Sequence, residues 1–91
     1  MRQPSIVMIV ADDMGRGDLG CTGNRLAQTP VLDRLAADGT TLAQHYSGSC
    51  ICAPARAALL TGRYPHRTGA VDVVGVRGLD RIALDEVTVA D

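Results

Sequence analysis

A run of apolar residues near the start of the chain constrains the fold more than any other feature. Residues 6–11 read Ile-Val-Met-Ile-Val-Ala, a continuous stretch of mostly β-branched side chains in which polar and apolar positions do not alternate. This pattern is typical of a strand that is covered on both faces, as in a parallel sheet with helices on either side. The sequence therefore predicts an α/β fold whose first strand lies at residues 6–11.

A helix is predicted next along the chain. Residues 15–24 hold four glycines without periodicity, which indicates a loop. Thr29 and Pro30 then supply an N-cap and a first-turn proline, and Gly39 can end the helix in a left-handed conformation. Residues 40–46 read as a second short strand. Together these segments predict a strand-helix-strand unit.

A second helix is predicted over residues 54–61, where Ala and Leu are frequent and Gly62 can terminate it. Cys52 would then lie just before the amino terminus of this helix. Residues 63–69 are predicted to form a polar, turn-rich loop, and residues 70–84 favour no single structure. The closing residues 88–91 match a capping box, but no helix follows them.

Size and composition suggest a part of a larger domain. A chain of 91 residues without Phe or Trp and with two Tyr has few side chains that bury a large area. Combined with the unfinished capping box, this leads us to expect the truncated amino-terminal part of a domain, over residues 1–91.

The charge balance argues against nucleic acid and membrane as partners. Nine basic and ten acidic residues give a net charge of −1 and no long run of one sign. The apolar run at 6–11 is too short to span a bilayer, and it ends in two aspartates instead of a small-residue cleavage site. With no signal peptide recognisable, we expect a cytoplasmic location.

The cysteines indicate neither a disulfide framework nor a zinc site. Three is an odd number, and Cys21, Cys50 and Cys52 lack the paired spacing of zinc ligands. Cys52 has features of a reactive residue, since it precedes a predicted helix and Arg56 lies one turn further on the same side. The alternative is a small buried hydrophobic side chain.

Two adjacent carboxylates follow the predicted first strand. Asp12 and Asp13 would lie at the carboxyl end of a parallel strand, where open α/β sheets build ligand sites. Their mutual repulsion would be relieved by a hard divalent cation such as Ca²⁺ or Mg²⁺. In the alternative, one aspartate caps a loop and the other faces solvent.

Other polar residues allow weaker hypotheses. His45 and His66 are lone histidines in polar surroundings, where surface positions are commoner than catalytic ones. Arg63 and Arg67 could meet an anionic substrate or could equally be solvated charges.

The motifs resemble those of the type I sulfatases, in the alkaline-phosphatase-like superfamily. Four segments recur in the order found in that family: residues 6–19, which read IVMIVADDMGRGDL, residues 28–39, residues 52–64 and residues 84–91. The third contains Cys-x-Pro-x-Arg followed by Leu-Thr-Gly-Arg. The resemblance covers most of the chain and implies an α/β sandwich of which only the first strand-helix-strand units are present.

The resemblance also implies a chemistry. In this family the cysteine equivalent to Cys52 is oxidised to formylglycine by an enzyme that reads the motif in an unfolded chain, and its hydrated aldehyde attacks sulfur in a sulfate ester. Asp12 and Asp13 would bind a divalent cation, usually Ca²⁺, which the modified Cys52 also contacts. Arg56 would stabilise the deprotonated diol.

Two departures leave alternatives open. Position 55 is Ala where many members have Ser, and members of the family are several times longer than this chain. We therefore expect the isolated chain to be inactive. A phosphonate or phosphodiester hydrolase of the same superfamily, or a non-enzymatic truncated remnant, are the alternative interpretations.

Overall fold

The computed structural model describes residues 2–73 and 79–91 and divides them into two compact units, Met1–Leu42 and Ala43–Asp91. The first unit holds a 3-10 helix, Gly20–Thr22, and helix α1, Pro30–Asp38. The second holds helix α2, Cys52–Thr61, and the single turn α3, Pro65–Thr68.

The two predicted strands are not confirmed. Neither residues 6–11 nor residues 40–46 adopt strand structure, and Ile6, Val7 and Ile9 are 83–85% exposed. A strand needs a neighbour that accepts and donates its backbone hydrogen bonds, and a buried parallel strand needs cover on both faces. The described residues provide neither, so the strand-helix-strand arrangement stays a prediction.

Helix α1 forms where the sequence predicts it, but the hydrogen bonds at its start and the backbone conformation at its end differ from the prediction. Thr29 makes no capping bond to the helix backbone. Its hydroxyl donates to Asp33 Oδ1 at 2.8 Å and accepts the N–H of Gly20 at 2.8 Å, which joins the 3-10 helix to α1. Gly39 is extended, with φ −110°, so the left-handed stop predicted there is wrong. Its N–H instead donates to the carbonyl of Leu35 at 3.0 Å.

Helix α2 begins at Cys52, two residues before the predicted start at Pro54. Proline is tolerated in this first turn because the N–H that it lacks would have no partner within the helix. The carboxyl end agrees with the prediction: Gly62 is left-handed, with φ 66°, and its N–H donates to the carbonyl of Ala58 at 2.9 Å.

The second unit is organised around small buried side chains, among them Pro54, Ala57, Thr68 and Ala70. The prediction of a loop over residues 63–69 is wrong in part, because α3 forms there. Thr68, 1% exposed, explains this turn: its hydroxyl donates to the carbonyl of Pro65 at 2.9 Å. The Thr68 carbonyl accepts the N–H of Ala83 at 3.1 Å, which brings the last part of the chain against α3.

The predicted capping box at the end of the chain is formed in part. The N–H and hydroxyl of Thr88 both donate to Asp91 Oδ2, at 2.7 and 3.0 Å. These two bonds lower the pKa of the Asp91 carboxyl, the backbone bond having the larger effect. Within residues 70–84, positions 74–78 lie outside the described part of the chain.

No helix among the described residues combines the length and the apolar character that crossing a membrane would require.

Candidate active site

Cys52 is exposed at the first position of α2. Ile51 before it is extended, with φ −113° and ψ 142°, and its carbonyl accepts the first bond of the helix from Ala55 N at 3.0 Å. The N–H groups of the first turn have no acceptor within the helix and carry partial positive charge. A negative group at Cys52 therefore lies in a favourable field, and the interpretation of Cys52 as a buried hydrophobic side chain is wrong.

The loop before Cys52 is folded against its own helix. The Ser47 hydroxyl donates to the carbonyl of Ser49 at 2.6 Å, and Ser49 Oγ accepts the N–H of Ile51 at 3.3 Å. A Cβ at Gly48 would lie 2.6 Å from the Cβ of Ala58, so the loop backbone approaches α2 more closely than any side chain would permit. This packing limits the positions that Cys52 can take.

Arg56 lies one helical turn after Cys52 and is also exposed. Residues four apart on a helix share a face, with Cβ atoms about 5–6 Å apart. Pro54 and Ala57 are buried on the other side of α2, which anchors the helix with the Cys52 and Arg56 positions directed outward. The predicted catalytic pair is thus presented by one helix face.

Asp12 and Asp13 belong to the first unit, and both are exposed. Asp13 has φ 53°, a left-handed conformation that turns the chain sharply at this point. Short polar residues such as aspartate tolerate that conformation better than most. In the described residues, no group of three or more His, Cys, Asp or Glu side chains is arranged to hold a metal ion.

Among the described residues, the free thiols and His66 do not gather into a second site. Cys21, Cys50 and Cys52 are free and exposed. His66 stacks on Tyr64 with ring centroids 5.8 Å apart and an angle of 14° between the planes. This contact gives His66 a packing role at the surface.

In the first unit, the carboxyl of Asp33 has a lowered pKa, and Asp33 in turn raises the pKa of a neighbouring thiol. The hydroxyl of Thr29 lowers the pKa of its carboxyl most, followed by the Cys21 N–H, which donates at 2.7 Å. The Cys21 thiol has a raised pKa, first through desolvation and then through the hydrogen bond to Asp33 and its negative charge. Because the thiolate is the reactive form, Cys21 is held in the less reactive state.

Arg63 and Glu86 form an ion pair that the sequence did not predict. Arg63 Nη1 contacts both carboxylate oxygens of Glu86, at 2.6 and 2.7 Å. This contact gives Arg63 a partner within the chain, and the earlier interpretations of Arg63 as a solvated charge or a substrate contact stay predictions. Both residues lie in family segments, but no signal in the sequence pairs them, since they are 23 positions apart.

Comparison with known proteins decides the family. The sequence model of the sulfatase family matches residues 4–91, which is nearly the whole chain. The chain belongs to the sulfatase family. Among individual relatives of this sulfatase chain, the steryl-sulfatase of Mus musculus is 56% identical over 68 residues, 75% of this chain and 11% of that protein.

Two further relatives carry different names. Human arylsulfatase A is 50% identical over an alignment of 93 positions, which covers 99% of this chain and 18% of that protein. The N-acetylgalactosamine-6-sulfatase of Mus musculus is 53% identical over 66 residues, 72% of this chain and 13% of that protein. The chain thus spans less than a fifth of the length of these relatives. No solved structure matches it significantly.

Membership of the sulfatase family implies an alkaline-phosphatase-like α/β fold for the domain to which these helices belong. The resemblance inferred from the motifs is confirmed. The roles of Cys52, Arg56, Asp12 and Asp13 stay predictions.

Proposed function

We propose that the protein containing this sulfatase chain hydrolyses sulfate esters, with Cys52 converted to formylglycine as the nucleophile. The observation that carries the proposal is the exposure of Cys52 at the first position of α2, one turn before Arg56. A nucleophile needs access to substrate, and one that becomes anionic benefits from a helix amino terminus and a nearby cation.

Formylglycine supplies a hydrated aldehyde, which is a nucleophile with a second hydroxyl for releasing the product. The residues around it have separate tasks. Arg56 stabilises negative charge on the nucleophile, because its guanidinium stays protonated at any physiological pH. The first-turn N–H groups of α2 add partial positive charge on the same side.

Asp12 and Asp13 are proposed to hold a divalent cation, Ca²⁺ or Mg²⁺, together with the modified Cys52. Carboxylate oxygens are the donors that these hard cations prefer, and the left-handed turn at Asp13 exposes both side chains. When bound, the cation would offset charge on the transferring group. Two carboxylates form a partial ligand set, so we propose that residues outside this chain complete it.

The proposed substrate is a sulfate ester of a small molecule or a carbohydrate. The names of the relatives refer to steryl, aryl and N-acetylgalactosamine-6-sulfate groups. The proposed partner is a formylglycine-generating enzyme that acts on the unfolded chain. The chain would then form the amino-terminal part of the catalytic domain, including its first strand-helix-strand units.

The test compares Cys52→Ala with Cys50→Ala in the whole protein that its organism produces, expressed together with the modifying enzyme. Cys50 is the matched control, because it is also an exposed free thiol and lies two positions earlier. We expect Cys52→Ala to lower aryl sulfate turnover at least about 10³-fold and Cys50→Ala to leave it unchanged. Mass spectrometry of the peptide that contains position 52 should show an aldehyde in the wild type and in Cys50→Ala.

Two results would contradict the proposal. An intact thiol at position 52 in cells that contain the modifying enzyme would remove the nucleophile and favour a non-enzymatic remnant. A strong preference for phosphodiesters over aryl sulfates would favour the phosphodiesterase alternative.

A further inference from the structure

The carboxyl-terminal end of α2 is attached to a distant part of the chain by the Arg63–Glu86 ion pair. Arg63 follows the left-handed Gly62, directly after the helix. The Glu86 side chain is only 8% exposed, whereas that of Arg63 is 49% exposed. Because a carboxylate that is removed from water needs a charged partner, Glu86 depends on Arg63.

A backbone bond reinforces this attachment. The carbonyl of Leu60 accepts the N–H of Val89 at 2.8 Å. Leu60 contributes one of the last four carbonyls of α2, which have no partner within the helix. Residues 86–89 thus supply both a side-chain and a main-chain partner to one helix end. Together with residues 59–63, they line a groove of about 580 Å³.

This attachment affects the position of Cys52, because α2 is a short helix that moves as a rigid element. A helix of 10 residues, rising 1.5 Å per residue, is about 15 Å long. Tilting such a helix by about 10° around its carboxyl end moves its amino end by about 2.6 Å. Misplacement of a reacting group by about 1 Å can cost about 10²-fold in rate.

We infer that Arg63 and Glu86 are positioning residues, which fix the tilt of α2 and thereby the location of the nucleophile at position 52. The inference rests on the function proposed above for Cys52. Neither residue touches the substrate. Their contribution acts through the helix, so it should affect the chemical step more than substrate binding.

The experiment measures aryl sulfate turnover per formylglycine, using mass spectrometry to count modified chains, in Arg63→Gln, Glu86→Gln and the double variant. We expect kcat to fall about 10–100-fold in each single variant, with KM within about twofold. The kcat of the double variant should be no lower than that of either single variant, because all three variants lose the same interaction. Wild-type kcat per modified site in either single variant, or additive losses in the double variant, would overturn the inference.

Arg34→Gln is the matched control. It removes an arginine from an ion pair with Asp38 that is longer, at 3.5 Å, and has side chains 85% and 71% exposed. Exposed pairs of this kind contribute little. Turnover in Arg34→Gln should equal that of the wild type, and an equal loss there would contradict the specific role of Arg63.

A second readout does not depend on activity. Amide hydrogen exchange in α2 should be about tenfold faster in Arg63→Gln than in the wild type, since the helix loses its attachment. If the Gln variants fail to fold, Arg63→Lys takes their place, because it keeps the charge and loses the planar guanidinium. Unchanged α2 exchange in the variant tested would overturn the inference. Wild-type protein without sulfate ester turnover would instead refute the proposed function, and the exchange experiment would then decide only whether the Arg63–Glu86 pair holds α2 in place.

Discussion

At the scale of single residues, the carboxylate of Asp33 connects the 3-10 helix to α1 in a unit with few buried side chains. Its Oδ1 accepts bonds from the Thr29 hydroxyl and the Cys21 N–H, and a Cβ at Gly20 would clash with its other oxygen. Any residue with a Cβ at position 20 would therefore displace the Asp33 carboxylate from this position. Both bonds favour the charged carboxylate and so lower the pKa of Asp33.

Replacing Thr29 by Val should raise the pKa of Asp33 toward its ordinary value, since the Thr29 hydroxyl is the largest cause of the shift. Because the folded pKa lies below the unfolded one, Asp33 stabilises the fold at neutral pH, and this contribution is lost as pH falls through the folded pKa. An NMR titration of the Asp33 carboxyl measures the change. Thr22→Val is the control, since that hydroxyl donates to the carbonyl of Leu19. An unchanged pKa in Thr29→Val would refute the assignment.

The residues with local signals were the ones that could be predicted. The location of Cys52 at a helix start follows from Pro54 and the alanines after it, whereas its exposure had been left open. Gly62 acts through its own backbone freedom. Glu86 could not be predicted, because its partner lies far away in sequence and charge alone does not specify a pair. Family motifs supplied the roles of Asp12 and Asp13, which their spacing left open.

At the scale of elements, α1 and α2 form close to where they were predicted, because short-range signals suffice to locate a helix. The signals were less reliable for the ends, since the left-handed stop predicted at Gly39 is absent. The prediction failed for α3, where the buried Thr68 side chain closes a turn that lacks helical periodicity. The two predicted strands did not form in the described residues, and the reason is physical. A helix satisfies its backbone hydrogen bonds within one segment, whereas a strand depends on neighbouring strands.

The left-handed end of α2 gives a prediction at this scale. In Gly62→Ala, a residue with a Cβ must adopt φ 66°, which costs about 1–2 kcal/mol. Amide exchange at the carboxyl end of α2 should therefore be about 5- to 30-fold faster. Gly62→Asn should have a smaller effect, because asparagine tolerates this conformation.

Gly17→Ala is the matched control for Gly62→Ala, because no atom lies within 4 Å of the position of its Cβ and its φ is not in the left-handed range. Exchange in α2 should not change in this variant. Equal exchange rates in Gly62→Ala and the wild type would show that α2 does not depend on its glycine end.

At the scale of the whole molecule, the described residues have a small core and a large apolar surface. Their buried hydrophobic residues are Ala57 and Ala70, whereas many large apolar side chains are exposed, among them Ile6, Val7 and Ile9. Burial of apolar area is the main stabilising contribution to folding, and alanine provides little of it. The ion pair and turn bonds described above add only modest net stability.

As a separate polypeptide of 91 residues, the chain should therefore unfold on heating without a cooperative transition and should bind a hydrophobic dye. Circular dichroism, calorimetry and dye fluorescence measure this. A sharp transition with a calorimetric heat-absorption peak and no dye binding would contradict it. The same sample should lack sulfate ester turnover, since the proposed cation ligands from this chain form only a partial set.

The attachment of α2 to Glu86 and Val89 also has a consequence during synthesis on the ribosome. Val89 lies 37 positions after Cys52, and at a translation rate of roughly 5–20 residues per second those positions take about 2 to 7 s to synthesise. Until then the Leu60 carbonyl and the Arg63 side chain lack their partners, so the segment around Cys52 remains a nascent, incompletely folded peptide. The modifying enzyme proposed above would thus have a limited interval in which to act, and the number of residues between Cys52 and Val89 would set its length.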